Sequence, residues 1–157
     1  MNNRYLVKRL FPAVLISLLG AVVACAPNTS RNLPIMGGCS QPRSTEQAPD
    51  EYYSLRSPLE RNQYNIDAGE RLFQRTVKPV ACARCHGKNG DGLGPMANMF
   101  NPPPRDFTCS DVVKGIPEGQ LFWVIKNGSK GTSMPAFDRL DDKEIWQLVA
   151  YISELAQ

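Results

Sequence analysis

Apolar positions near the end of the chain recur at helical intervals. Ile145, Leu148, Val149, Ile152 and Leu155 fall at i, i+3, i+4, i+7 and i+10, the stripe that covers one face of an α-helix. Asp141 and Glu144 stand just ahead of it with the spacing of a capping box, Asp141 as the cap. Leu121, Phe122, Val124 and Ile125 predict a second helix over residues 118–126, with Pro117 and Gly128 in the positions they favour at helix ends. A further helix is predicted over residues 67–77, with Asp67 as N-cap and Ala68, Leu72 and Phe73 as its apolar stripe. Gly69 inside it costs stability unless a second helix must approach closely. No run alternates with the two-residue period of a strand. The pattern predicts an all-α domain over residues 62–157.

Ahead of that domain the pattern changes. Residues 10–24 form a mostly apolar run of 15 residues behind Arg4, Lys8 and Arg9. The run is short for a membrane-spanning helix and Pro12 interrupts it, which predicts a signal peptide over residues 1–24. It ends in Val22-Val23-Ala24-Cys25, which resembles the lipobox of bacterial lipoproteins. That reading makes Cys25 an acylated, membrane-holding residue. An ordinary signal peptide and a short uncleaved anchor are the alternatives. Ala26-Pro27 brings no aspartate after the cysteine, a pattern resembling lipoproteins sent to the outer membrane. The expected location is the cell envelope, facing the periplasm or the exterior. Residues 25–61 carry Pro27, Pro34, Pro42, Pro49 and Pro58 among polar residues and predict an extended tether. Its more apolar part, residues 50–59, is placed to lie against the domain.

Charge adds one exclusion. The chain has 18 Lys+Arg and 15 Asp+Glu, and residues 1–24 hold three basic and no acidic residues, so the mature part has 15 of each. A net charge of zero gives no support for nucleic acid binding.

The candidate chemistry lies in Cys82-Ala83-Arg84-Cys85-His86, a C-x-x-C-H sequence that reads as the attachment site of one haem c. Two thiols three positions apart can each add across one vinyl group of a porphyrin, and the adjacent histidine can ligate the iron. His86 is the chain's single histidine. A redox dithiol and half of a zinc site are the competing readings. The first lacks a surrounding βαβ pattern, and the second lacks a further ligand pair. Of the five cysteines, Cys39 and Cys109 remain after lipid and haem are assigned. They are either a disulfide or two thiols.

An iron held by His86 has a second axial position. Met134 is the candidate, in Gly131-Thr132-Ser133-Met134-Pro135 between two predicted helices, where Pro135 discourages helix at Met134. Met96 and Met99, close to the attachment motif, and an open position are the alternatives.

These residues resemble those of class I monohaem c-type cytochromes of bacteria, here in a lipoprotein form. The resemblance rests on Cys82, Cys85 and His86, then Gly94-Pro95, Met134-Pro135, and the final helix with Leu148 and Tyr151. It implies a small fold of three to four helices around one haem, with the first and last helices crossing where Gly69 and Phe73 meet Leu148 and Tyr151. It also implies that the Pro95 carbonyl accepts a hydrogen bond from the second nitrogen of His86. Asn101-Pro102-Pro103-Pro104-Arg105-Asp106-Phe107 resembles a loop of some bacterial members. In it Arg105 is either a partner for a haem propionate or a solvated side chain. Trp123 is read as helix packing, and Asp91 and Asp106 as turn residues. The implied function is single-electron transfer between a redox protein donor and acceptor, by an electron carrier rather than an enzyme. A haem subunit of a larger respiratory complex, and a sensor or peroxidase with an open or displaceable sixth ligand, are the alternatives.

Overall fold

The helices over Gln63–Gln74 and Asp142–Leu155 pack directly on each other and form the frame of the domain. The computed structural model describes residue 41, residues 45–75 and residues 77–157. Residues 1–24, Cys25, Met36 and Cys39, and with them the signal, the lipid site and one partner of the considered disulfide, lie outside the described residues. The helices are α1 (Asp50–Tyr53), α2 (Gln63–Gln74), α3 (Ala83–His86), α4 (Ser110–Val113), α5 (Glu118–Asn127) and α6 (Asp142–Leu155). A 3-10 turn spans Ala97–Met99. Among the described residues there is no strand, and no helix is long and apolar enough to cross a membrane. The fold is all-α, as the periodicity predicts. Among the described residues, three of the six helices are single turns of four residues.

Helix α6 starts where its cap predicts. The Asp141 carboxylate accepts the Glu144 N–H at 2.8 Å, and the Glu144 carboxylate accepts the Asp141 N–H at 3.0 Å. Helix α5 ends at Asn127, before Gly128, also as predicted. Helix α2 departs from its prediction. It begins at Gln63, capped by Asn62, whose side chain accepts the Asn65 N–H at 3.1 Å. Asp67 lies inside the helix, where its carboxylate accepts from the Gln63 side chain at 2.7 Å. The helix ends at Gln74 because Arg75 is already extended, with ψ 162°. Two polar residues a few positions apart both suit an N-cap. The one preceding the packed turn takes the role.

The crossing of α2 and α6 runs through Gly69. A Cβ at that position would run into the Gln147 carbonyl and would come within 2.9 Å of Tyr151 Cβ. The absence of a side chain therefore offsets the helix cost of glycine, because it lets the two backbones meet. Phe73 packs edge-on to Tyr151 with ring centroids 5.4 Å apart. Phe73, Ile145, Leu148 and Val149 are the fully enclosed side chains of the core. Beside the crossing, the buried Gln147 amide donates to Asn65 Oδ1, and Asn65 Nδ2 donates to the Glu60 carbonyl. The polar pair is thereby satisfied rather than stranded.

Several of residues 45–61 contact the helical core. Tyr52 and Leu59 pack against the core, Tyr52 lies stacked on Phe122 at 6.3 Å, and Ala48 is 2% exposed. The packed unit thus begins before Asn62, and residues 50–59 lie against the domain as their apolar character suggests.

Candidate functional site

The C-x-x-C-H motif folds as one helical turn, and that turn explains its spacing. The Cys85 and His86 N–H groups both donate to the Cys82 carbonyl, at 3.1 and 2.9 Å. Residues at i, i+3 and i+4 of a helix share a face, so Cys82, Cys85 and His86 line one cavity. Met134 arrives from the other end of the chain and lines it too. Its loop is tied down locally. The Met134 N–H donates to Thr132 Oγ1 at 3.1 Å, and the Ser129 N–H donates to the Met134 carbonyl at 3.2 Å. The Phe137 N–H then returns the chain to α5 by donating to the Ile125 carbonyl at 3.0 Å. Met96 and Met99 are not among the lining residues, and Met99 is 73% exposed on the surface.

The cavity measures about 390 Å³, and Val80, Leu121, Ile125 and Phe137 contribute its apolar wall. That volume lies within the range of small-molecule and cofactor sites. An apolar cleft with two thiols at one edge, an imidazole and a thioether suits a flat, largely apolar macrocycle holding a metal at its centre. Porphyrin and donor set fit each other here.

The imidazole of His86 is held on two sides. Its Nδ1–H donates to the Arg105 carbonyl at 2.9 Å. A carbonyl can only accept, so the proton sits on Nδ1 and Nε2 keeps its lone pair for a metal. The ring of Phe107 lies over the imidazole, with centroids 4.5 Å apart and planes at 22°. The Phe107 N–H donates to the Gly90 carbonyl at 2.7 Å and pins this loop. The accepting carbonyl is therefore that of Arg105, and the expectation for Pro95 is corrected. The Gly94 and Met96 N–H groups donate to the carbonyls of Cys85 and Arg84, at 3.1 and 2.9 Å. That pairing draws the Gly94-Pro95 turn over the C-terminal end of α3 and leaves Pro95 exposed.

The thiols decide between the competing readings of the motif. Burial pushes the Cys82 thiol up to about 12, and burial also raises that of Cys85, against the lowering effect of Arg84. Cys82 and Cys85 are not bonded to each other. A redox dithiol needs a depressed thiol pKa, and the environment here does the reverse. Among the described residues no group of three His, Cys, Asp or Glu side chains is placed to hold a metal ion.

Other candidates fall into place around the site. Arg105 lines the cavity. Trp123 does not. It is half-buried in α5 beside a second hollow, which Met134 and Glu46 also line. Asp91 accepts the Leu93 N–H at 3.0 Å, and Asp106 accepts from both the N–H and hydroxyl of Thr108, at 2.8 and 2.6 Å, so both act as turn residues. Cys109 is buried and its Sγ donates to Asp106 at 3.5 Å. Sequence reasoning missed Phe107, Gln120 and the lining contributed by Thr45, Gln47 and Tyr53. The aromatic residue that closes the proline loop was the available signal for Phe107. Nothing in the local pattern marks the others.

Three comparisons bear on this arrangement. The sequence model of the family described as "Cytochrome C oxidase, cbb3-type, subunit III" matches residues 64–152, more than half of the chain. Among solved structures, a chain of the Kuenenia stuttgartiensis reducing HAO-like protein complex Kustc0457/Kustc0458 is similar, with 28% sequence identity and a TM-score of 0.54. The match covers 73% of this chain and 52% of that one, so the chain spans about half the length of this relative. No curated protein matches the chain.

Proposed function

The chain belongs to the cbb3-type cytochrome c oxidase subunit III family of haem-binding domains, and we propose that it carries single electrons through one covalently bound haem c. The observation that supports this most is the convergence of Cys82, Cys85, His86 and Met134 on one apolar cavity. In this reading the Cys82 and Cys85 thiols would hold the haem through two thioether links, and His86 Nε2 and Met134 Sδ would hold its iron. The haem supplies a reversible one-electron couple.

The chain's own residues supply the rest. The Arg105 carbonyl keeps the proton on Nδ1 and makes Nε2 the better donor. Phe107 holds the imidazole plane. The hydrogen bonds around Met134 hold its loop so that its thioether stays at the cavity rather than in solvent. An iron held by both His86 and Met134 would leave no open position for substrate, which favours a carrier over a catalyst. A class I architecture with a single haem is part of the proposal.

The working partners in this proposal are a redox donor and acceptor. The similar solved chain comes from a protein complex, which supports a place for this domain as a subunit of a larger redox assembly. Acylation at Cys25 would hold the protein on a membrane of the cell envelope, a reading that rests on the sequence of residues 1–25.

Absorption spectra of the mature protein test the core of this reading. A weak far-red band in the oxidised state, lost on reduction, together with a reduced spectrum unmoved by carbon monoxide, is the expected result. Ready binding of carbon monoxide without that band would overturn the Met134 assignment. A denatured band that fails to stain for haem would overturn covalent attachment.

A further inference from the structure

Residues 45–57 carry an arrangement that the family match, which begins at residue 64, does not include. This arm is fastened to three consecutive residues at the start of α5. Glu118 Oε2 accepts the Ser57 N–H at 3.0 Å. Gly119 lets the Tyr52 carbonyl sit against the helix, in a place where any Cβ would collide with it. The Gln120 amide takes both backbone groups of the passing chain. Its Oε1 accepts the Ala48 N–H at 2.7 Å, and its Nε2 donates to the Glu46 carbonyl at 2.9 Å. Gln120 is 8% exposed and Ala48 2%, so the bond from Ala48 is screened from water, where an unmade bond is costly, while the bond to Glu46 is partly buried.

The same arm reaches the cavity. Thr45, Gln47 and Tyr53 line it, and so does Gln120 itself. Gln120 therefore has its amide engaged by the arm and its side chain at the cavity margin. That placement has no counterpart in the work of the four haem-holding residues.

We propose that residues 45–57 form a latched wall of the haem pocket, with Gln120 as the positioning residue that holds it closed against water. The inference rests on the haem reading given above. An oxidised haem iron carries one more positive charge than a reduced one, so water at the pocket favours the oxidised state. A closed wall raises the midpoint potential, and an opened latch lowers it.

Two variants of the full-length, haem-loaded protein test this. Gly119→Ala puts a methyl group against the Tyr52 carbonyl, outside the cavity lining, while alanine itself favours the helix. Gln120→Ala removes both amide bonds. Backbone hydrogen exchange over residues 45–57 is read beside exchange in α6, and the midpoint potential is measured by redox titration. The expected result is exchange over the arm at least about tenfold faster, unchanged exchange in α6 and a lower potential, and Gly119→Ala decides if Gln120→Ala fails to fold. An arm that exchanges faster at an unchanged or raised potential overturns the wall. An arm that stays protected in both variants overturns the latch. The exchange comparison also runs on the chain without haem, so a protein that never binds haem would fail the functional reading while the latch is still judged.

Discussion

The ring of Phe107 lies over the ring of His86, centroids 4.5 Å apart and planes within 22°. Two residues before Phe107, the Arg105 carbonyl accepts a hydrogen bond from His86 Nδ1–H. One loop thus determines both the tilt of the imidazole and the place of its proton. Phe107 also meets Phe73 edge-on at 6.2 Å, so the orientation of His86 is continuous with the α2–α6 core.

Phe107→Ala should remove that support. A buried phenylalanine truncated to alanine costs about 3–5 kcal/mol, read in chemical unfolding of the haem-loaded protein. Phe107→Leu keeps most of the volume and loses the flat contact, so it should cost about 1 kcal/mol. An altered far-red band in Phe107→Leu would report the lost ring support at near-native stability.

Met134→Ala should open the sixth position. Carbon monoxide would then bind the reduced protein, and the potential would fall by a sizeable part of the roughly 0.8 V that axial ligands span. Met99→Ala should change neither, since Met99 is a surface residue outside the cavity. Spectra and redox titration of the pair check the assignment.

Gly69→Val should weaken the crossing of α2 and α6, because its branched side chain meets the Gln147 carbonyl and Tyr151. Backbone contacts cannot yield as a flexible side chain does. The loss should exceed the roughly 1–3 kcal/mol of ordinary overpacking. Thermal unfolding followed by helical circular dichroism measures it.

Before haem is attached, the thiols should react slowly. With its pKa pushed from 9.0 to about 12, Cys82 holds about a thousandfold less thiolate near pH 8 than an ordinary cysteine. The sign follows from proton uptake. The folded chain holds this proton more tightly than the unfolded one, so the stability it contributes is full below pH 9 and is lost as pH rises from 9 towards 12. Alkylation rates of the unloaded protein, read residue by residue against an unfolded control, check this. Cys82 alkylating at the unfolded rate would contradict it.

Much of the site was legible because it is local. Residues within four positions of one another are related by helix geometry alone, so Cys82, Cys85 and His86 declared a shared face and Asp141 with Glu144 declared a helix start. Met134 lies outside that rule: Pro135 marks it as a loop residue, but only the packing of the chain brings it to the cavity that His86 lines. The choice between Asn62 and Asp67 as cap was not legible. Both side chains suit the role, and only the packing of the first turn of α2 separates them.

The sequence by itself determined the helical periods and the C-x-x-C-H motif, because each depends on neighbours along the chain, whereas the crossing at Gly69 was implied only by the family resemblance and is made by contacts with Gln147 and Tyr151. The tertiary structure alone decided which carbonyl receives the proton of His86, because Arg105 lies 19 residues away and its position depends on how the proline loop packs. It also decided that residues 45–57 belong to the pocket. The Gln120 amide and the backbone of Glu46 and Ala48 are more than 70 positions apart. No spacing rule reaches that far, and only packing brings a glutamine and a polar arm into one pair of hydrogen bonds, the one from Ala48 buried.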